Sequence, residues 1–358
     1  MEMQVEALGR LRVLFVTSLT PNHFGVYRLG ALGRLGLEHV AVLDRDHYGA
    51  PGIRGKVQFR LQIGPEVSQF NRDLFAIARR EQAQIAIFDK ALQLHPRTLR
   101  RLRESGVFCI DFVIDNPFGP RNDPGWRLYR RTVPGFDLTG VQRDVSLTDY
   151  RKAGAQEVVR ILNGFERTVH YPPPPDWNDS RRDRQVSFIG TPYDDRADFL
   201  ARLWRAGVAV DISGSRPHWQ AALPADAFAA TFRVGELVAD AYREAIWRSR
   251  INLAFVTHSN SDQVAQKSFE ITACGGFLLA ERTAEHLACF REDEEAVFFS
   301  DFEECRAKID RYLNDEAERA RIAAAGQRRA WNSGYDNDSV LSGLLTKAAE
   351  MLAKRAGN

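Results

Sequence analysis

Asp262 and Glu270 are separated by seven residues, Lys267 lies between them, and Gly275-Gly276 follow closely. Two carboxylates around one cation, with paired glycines after them, suit a particular chemistry. A carboxylate accepts both hydroxyls of a ribose, a lysine neutralises a diphosphate, and glycines admit a ligand to backbone N–H groups. This is the layout of a pocket for a sugar nucleotide. Glu270 sits between apolar Phe269 and Ile271 and leads into Phe277-Leu278-Leu279-Ala280. It therefore reads as a held carboxylate rather than a solvated one. Asp262, in Ser259-Asn260-Ser261-Asp262, reads equally as a ligand contact or a helix cap. Lys267 reads equally as a phosphate partner or a surface lysine.

Elements must position these residues, and the chain supplies them in a regular order. Apolar runs at 12–17, 39–43, 85–88 and 107–112 alternate with stretches of helical spacing at 27–35, 68–81 and 96–104. Short apolar strands joined by helices predict a parallel sheet covered on both faces. The run Pro172-Pro173-Pro174-Pro175 interrupts this pattern and favours an extended spacer. The alternation then restarts at 185–190, with further strands at 208–212, 251–255 and 276–279. The expected fold class is α/β, with two doubly wound Rossmann-like domains facing a cleft. Residues 1–175 form the first domain and residues 176–335 the second. The C-terminal helix, 336–358, carries Leu341, Leu344, Leu345, Ala348 and Leu352 on one face, so it packs back toward the first domain.

In doubly wound sheets, ligands bind beyond the carboxyl ends of the strands. In the second domain that edge gathers Gly190, Arg196 at the start of a helix, Gly214, Val234 and Gly235, together with Asp262 to Gly276. In the first domain it gathers His23, Asp44, Asp46, Asp89 and Asp115. A loop His or Asp there could remove a proton from a hydroxyl, although Asp before Asn-Pro is also a common turn residue. A nicotinamide fold would need Gly-x-Gly-x-x-Gly after the first strand, and residues 17–25 do not supply it.

Composition narrows the classes further. Hydrophobic content of 44% and charged content of 27% are those of an ordinary globular protein. Because 49 basic residues nearly cancel 47 acidic ones, the net charge is only +2. With no basic run interleaved with aromatics, nucleic acid is not an expected partner. No apolar run approaches the roughly 20 residues that span a bilayer, and the acidic N-terminus lacks a signal-peptide pattern. Cys109, Cys274, Cys289 and Cys305 form no Cys-x-x-Cys pair and read as reduced thiols of a cytoplasmic protein.

The second half resembles the two-domain (GT-B) glycosyltransferases of group 1, and among them the spore-maturation CgeB-like branch. The resemblance rests on Val186-Ser187-Phe188-Ile189-Gly190, Arg196, Gly235-Glu236, the stretch from Lys267 to Leu279, and Ile322 to Arg328. Asp115-Asn116-Pro117 is similar to that branch's Asp-Asp-Pro. The resemblance implies that Glu270 is the second Glu of a Glu-x7-Glu motif and holds the donor ribose. Asp262 stands in place of the first Glu near the donor sugar, one methylene shorter. Lys267 replaces an Arg, which keeps the charge and loses a bidentate fork. Val234 and Gly235 fall where backbone contacts hold the base, and Asp89 falls near a position often occupied by His.

The expectation is a cytoplasmic glycosyltransferase that moves a sugar from a nucleotide-diphosphate donor to an acceptor hydroxyl or amine, with retention. Arg196 or Lys267 and helix N-terminal amides would stabilise the leaving diphosphate. No metal and no cofactor beyond the donor substrate are expected. Asp44-x-Asp46 resembles the metal motif of another glycosyltransferase architecture, but it follows the second strand instead of lying deep in a single nucleotide domain. His23, Asp89 and Asp115 are the catalytic candidates on the acceptor side. The rival readings are a sugar-nucleotide epimerase of the same fold and a non-catalytic sugar-nucleotide-binding protein.

Overall fold

The computed structural model describes residues 9–119 and 124–356. The chain divides into two compact units, residues up to Asn163 together with those from Asn337 onward, and Gly164–Asp336.

In the first unit, β1 (Arg12–Thr17) leads through α1 (Phe24–Arg34) to β2 (His39–Asp44), followed by α2 (Gly52–Leu61) and α3 (Pro65–Arg80). Then come β3 (Ile85–Asp89), α4 (Pro96–Glu104), β4 (Phe108–Val113), α5 (Trp126–Thr132), β5 (Leu138–Val141), α6 (Asp144–Lys152) and β6 (Val158–Arg160). The strands form one parallel sheet in the order β2-β1-β3-β4-β5-β6. Both β3 and β4 are buried along their whole length, as expected when helices cover both faces. One face packs Leu14, Val16, Phe70, Leu74, Phe88 and Leu99.

In the second unit, β7 (Arg184–Ile189), α7 (Arg196–Arg205), β8 (Val210–Ser213), α8 (Arg216–Ala222), α9 (Ala225–Thr231) and β9 (Phe232–Val234) run outward from the sheet centre. The chain returns through α10 (Ala239–Trp247) to β10 (Ser249–Ala254), α11 (Gln266–Ala273), β11 (Leu278–Glu281), α12 (Ala284–Cys289) and β12 (Val297–Phe299). Helices α13 (Phe302–Leu313) and α14 (Glu316–Asn332) complete it. The sheet is again parallel, in the order β12-β11-β10-β7-β8-β9. Its core is aromatic, with Phe188 edge-on to Trp219 and Phe255 at centroid distances of 5.8 and 5.5 Å.

Helix α15 (Asn337–Ala356) belongs to the first unit, where Leu341, Leu344, Leu345 and Ala348 pack with Ala31 and Leu32 of α1. The units part at 163/164 rather than at the proline run. The run lies inside the second unit because neighbouring residues anchor it there. The Trp247 indole donates to the Tyr171 carbonyl (3.1 Å) while Arg243 lies 4.0 Å from the Tyr171 ring centroid. No helix among the described residues is long and apolar enough to cross a membrane.

Candidate functional site

Each sheet has one point where the chain reverses its direction of growth, and a crevice opens there at the carboxyl edge. It falls between β1 and β3 in the first unit and between β7 and β10 in the second.

At the second-unit switch point, the loops after β7 and β10 are tied together by Arg196, the first residue of α7. Its guanidinium donates to the carbonyls of Thr191 (3.2 Å), Phe255 (3.3 Å) and Val256 (2.9 Å), and to Thr257 Oγ1 (2.9 Å). All four acceptors are neutral, and Arg196 makes no ion pair with a described carboxylate. Burial lowers its pKa, against the fields of Asp194, Glu281 and Asp262.

Lys267 projects from the first turn of α11 beside Gly190, where a Cβ on the glycine would stand 3.5 Å from Lys267 Cε. Its ammonium lies 4.7 Å from the centroid of the Tyr242 ring. It too makes no ion pair among the described residues. Burial lowers its pKa, opposed by Glu270 and reinforced by Arg196. Helix α11 starts after Ala265, which has no side-chain acceptor, and its first turn carries no acid. The Ser268 N–H is bonded to Ala265 O, and the positive end of the helix dipole favours an anion at this terminus.

Glu270 is buried one turn further along α11. The Tyr242 hydroxyl donates to its Oε2 at 2.7 Å, and Oε1 has no partner among the described residues. Burial and the neighbouring carboxylate push the Tyr242 phenol well above its usual pKa, so it stays a donor. Buried His170 packs edge-on to Tyr242 at 5.8 Å. Its Nδ1 accepts the Glu166 N–H (3.0 Å), which leaves the ring proton on Nε2, and burial lowers its pKa. Asp262, partly buried in the loop before α11, accepts from Asn260 at 3.3 Å.

The glycines have a different job from the one expected. Gly275, with φ of +69°, is the left-handed residue that ends α11, and its N–H donates to Thr272 O while the Gly276 N–H donates to Ile271 O. These bonds complete a Schellman cap, so both amides are occupied. A Cβ on Gly276 would meet Ile246 at 2.7 Å. The Gly190 and Gly214 amides are likewise bonded, to Ser213 O and Val234 O. Gly214, at φ +154°, is needed because a Cβ there would fall 2.1 Å from Gly190 O. Gly190, Gly214 and Gly276 therefore shape the crevice through close packing, and Gly275 through its left-handed backbone. Gly235 follows exposed Val234 on edge strand β9, and its Cα faces open space.

The first-unit switch point assembles its candidates differently. Asp89 is buried and accepts from Arg28 (2.8 Å) and Thr17 Oγ1 (2.8 Å). Arg28 also donates to Asn163 (2.8 Å) and lies 4.4 Å from the Phe112 ring centroid. Asp115 pairs with Lys90 at 2.5 Å. His23 caps α1, its Nδ1 accepting the Gly25 N–H at 3.0 Å. That bond puts the ring proton on Nε2, and burial lowers the pKa, so the histidine presents a donor rather than a base. Asp44 caps the turn Arg45–Tyr48 through the Asp46 N–H, and Asp46 accepts from Ser18 and Thr20. Among the described residues, no cluster of three His, Cys, Asp or Glu side chains could hold a metal.

Sequence reasoning missed Tyr242, His170 and Arg28. Arg28 carried a usable signal, a charged residue on the buried side of an otherwise apolar helix. Tyr242 and His170 carried none, since they reach Glu270 from other segments of the chain.

Residues 184–346 match the family model described as glycosyl transferase-like. Comparison of the sequence with curated proteins gives no match. Among solved structures, sucrose-phosphate synthase from Thermosynechococcus elongatus superposes with a TM-score of 0.66 at 12% identity, over 96% of this chain and 99% of that one. The Anabaena protein HepE in complex with UDP-glucose gives a TM-score of 0.63 at 12% identity, over 96% and 100%. A glycosyltransferase from Rickettsia africae gives 0.66 at 10% identity, over 96% and 99%. Residues 184–346 are thus similar to a glycosyl transferase-like domain, in a chain with the GT-B fold.

Proposed function

We propose that this protein transfers a sugar from a nucleoside-diphosphate donor to an acceptor hydroxyl or amine, and that its second unit holds the donor. One observation carries this reading. The carboxyl edge of the second sheet gathers Glu270, Lys267 and Arg196, none of which forms an ion pair with another described residue. Glu270, oriented by Tyr242, accepts the ribose hydroxyls through its open oxygen. Lys267, Arg196 and the N-terminal dipole of α11 face the diphosphate and stabilise it as it leaves, without a metal. Asp262 lies toward the sugar, and Val234 and Gly235 flank the base. UDP is the first nucleotide to test, because one of the matched structures contains UDP-glucose.

The acceptor belongs to the first unit in this reading. Its two candidate carboxylates, Asp89 and Asp115, are already paired with cations, so the departing diphosphate oxygen takes the acceptor proton. This route accords with retention at the anomeric carbon and with placement near the CgeB-like branch. The four free cysteines are all buried, which suits a cytoplasmic enzyme.

A thermal-shift screen across nucleoside diphosphates and their sugars tests the reading, since a ligand of the native state raises apparent stability. At least one diphosphate should raise the melting temperature, and Glu270→Ala should remove that shift. A shift unchanged in Glu270→Ala would overturn the ribose assignment. Conversion of a bound nucleotide sugar without any acceptor would instead make the protein an epimerase.

A further inference from the structure

Helix α2 is built inside out. Its buried side carries Gln58 and, at its C-cap, Gln62, 7% and 4% exposed, while Ile53 is 81% exposed and Val57, Leu61 and Ile63 are exposed as well. Gln58 tethers the helix by donating to Tyr48 O and accepting from the Ala50 N–H, both at 2.6 Å. Beside it lies an open cavity of about 590 Å³, lined by Arg45, Lys90, Phe59 and Gln62. Of the eleven large apolar side chains exposed on the described surface, five fall between residues 53 and 63. A soluble helix normally turns this pattern the other way.

Ile53, Val57 and Leu61 recur every four residues and form one stripe. Lys56 and Arg60 border it on one side and Arg54 on the other, all exposed. No acidic residue occurs from Ala50 to Pro65. Arg54 is bonded to Glu66, whereas Lys56 and Arg60 make no ion pair with a described carboxylate. An apolar stripe flanked by basic side chains matches an anionic lipid surface, where the apolar residues enter the acyl boundary and the long cations reach back to the headgroups. A second copy fits poorly, because a two-fold contact through this stripe would set Lys56 and Arg60 against their own counterparts.

We propose that α2 docks this protein on anionic membrane surfaces, lying in the interface plane with Ile53, Val57 and Leu61 inserted. The cavity beside α2 reaches Lys90, the partner of Asp115, so docking brings the lipid surface to the carboxyl edge of the first sheet. The assignment is independent of which donor the second unit binds.

Co-sedimentation of the full chain with vesicles tests it, using phosphatidylcholine alone and phosphatidylcholine mixed equally with phosphatidylglycerol. The wild type should bind the anionic vesicles, more weakly at high salt, and leave the neutral ones. Val57→Ser with Leu61→Ser should weaken binding by about tenfold or more, with circular dichroism and melting temperature unchanged. Lys56→Gln with Arg60→Gln should weaken it by about tenfold or more and flatten the salt dependence. Absence of binding to anionic vesicles, or equal binding by the Val57→Ser/Leu61→Ser variant, would overturn the proposal. So would self-association that this variant abolishes in a protein that ignores vesicles, because the occupant is then a second copy.

Discussion

The two units share one architecture and present corresponding edges, yet they treat charge in opposite ways. In the first unit, Asp89 is neutralised by Arg28 and Asp115 by Lys90. In the second, Glu270 is held by a neutral phenol, Lys267 lies over an aromatic ring, and Arg196 is bonded to neutral oxygens. Burying charge without an opposite partner costs stability unless something else compensates. The first edge is complete within its own chain. In the proposed reading, the second is completed by a ligand that brings both hydroxyls and negative charge, as a nucleoside diphosphate does.

This contrast can be broken by mutation. Arg28→Met should have the largest effect, since it strands the buried Asp89 carboxylate, and chemical denaturation should show a loss of about 3–5 kcal/mol. Lys267→Met removes a cation with no such partner, so the same assay should show stability unchanged or raised by about 1 kcal/mol. An equal loss in both variants would mean that Lys267 is paired as Arg28 is.

Protonation should separate the units next. In the second unit, buried His286 accepts from Ser268, donates to the Glu281 carbonyl, and has its pKa pushed down to about 4 by burial. A folded pKa below the ordinary 6.5 means that the unfolded chain binds the extra proton first. Stability is therefore complete above pH 6.5 and falls as pH drops toward 4, by about 3 kcal/mol in all. His286→Gln should flatten that acid limb in a pH series of denaturation curves. In the first unit, burial raises the Asp111 carboxyl to about 8, even though Tyr129 donates to it. A raised folded pKa has the opposite sign, so this contribution falls as pH climbs from about 4 toward 8, and Asp111→Asn should remove the decline.

Tyr242→Phe should be the mildest change. It deletes one hydrogen bond to a carboxylate, a net contribution of up to about 1.5–3 kcal/mol, and leaves Glu270 both freer and less well oriented. Donor affinity should fall by about tenfold or less in calorimetric titration, with a still smaller change in melting temperature.

Much of the frame was legible in the residues. The run Arg12–Thr17 and the helix Pro96–Glu104 fall where apolar patterning put them, because strands buried on both faces are short uninterrupted apolar runs. The glycine pair after Ala273-Cys274 does stop a helix, but its amides serve that stop and not a ligand. Spacing can announce a left-handed residue and says nothing about which carbonyl uses the neighbouring N–H. Arg28 with Asp89 and Tyr242 with Glu270 are pairs 61 and 28 residues apart, and a local pattern does not connect them. Helix α2 was not legible in the sequence, although Ile53, Val57 and Leu61 recur every four residues, because Gly52 and Gly55 weaken the helical signal and its apolar residues face outward.

The central claim is that the second edge reads ribose through Glu270 and diphosphate through Lys267. The direct measurement is calorimetric titration with the nucleoside diphosphate that gives the largest thermal shift, and with its parent nucleoside. Glu270→Gln should weaken both ligands by a similar factor of about ten or more, whereas Lys267→Met should weaken the diphosphate by that factor and the nucleoside less than about twofold. Unchanged diphosphate affinity in both variants would contradict the account.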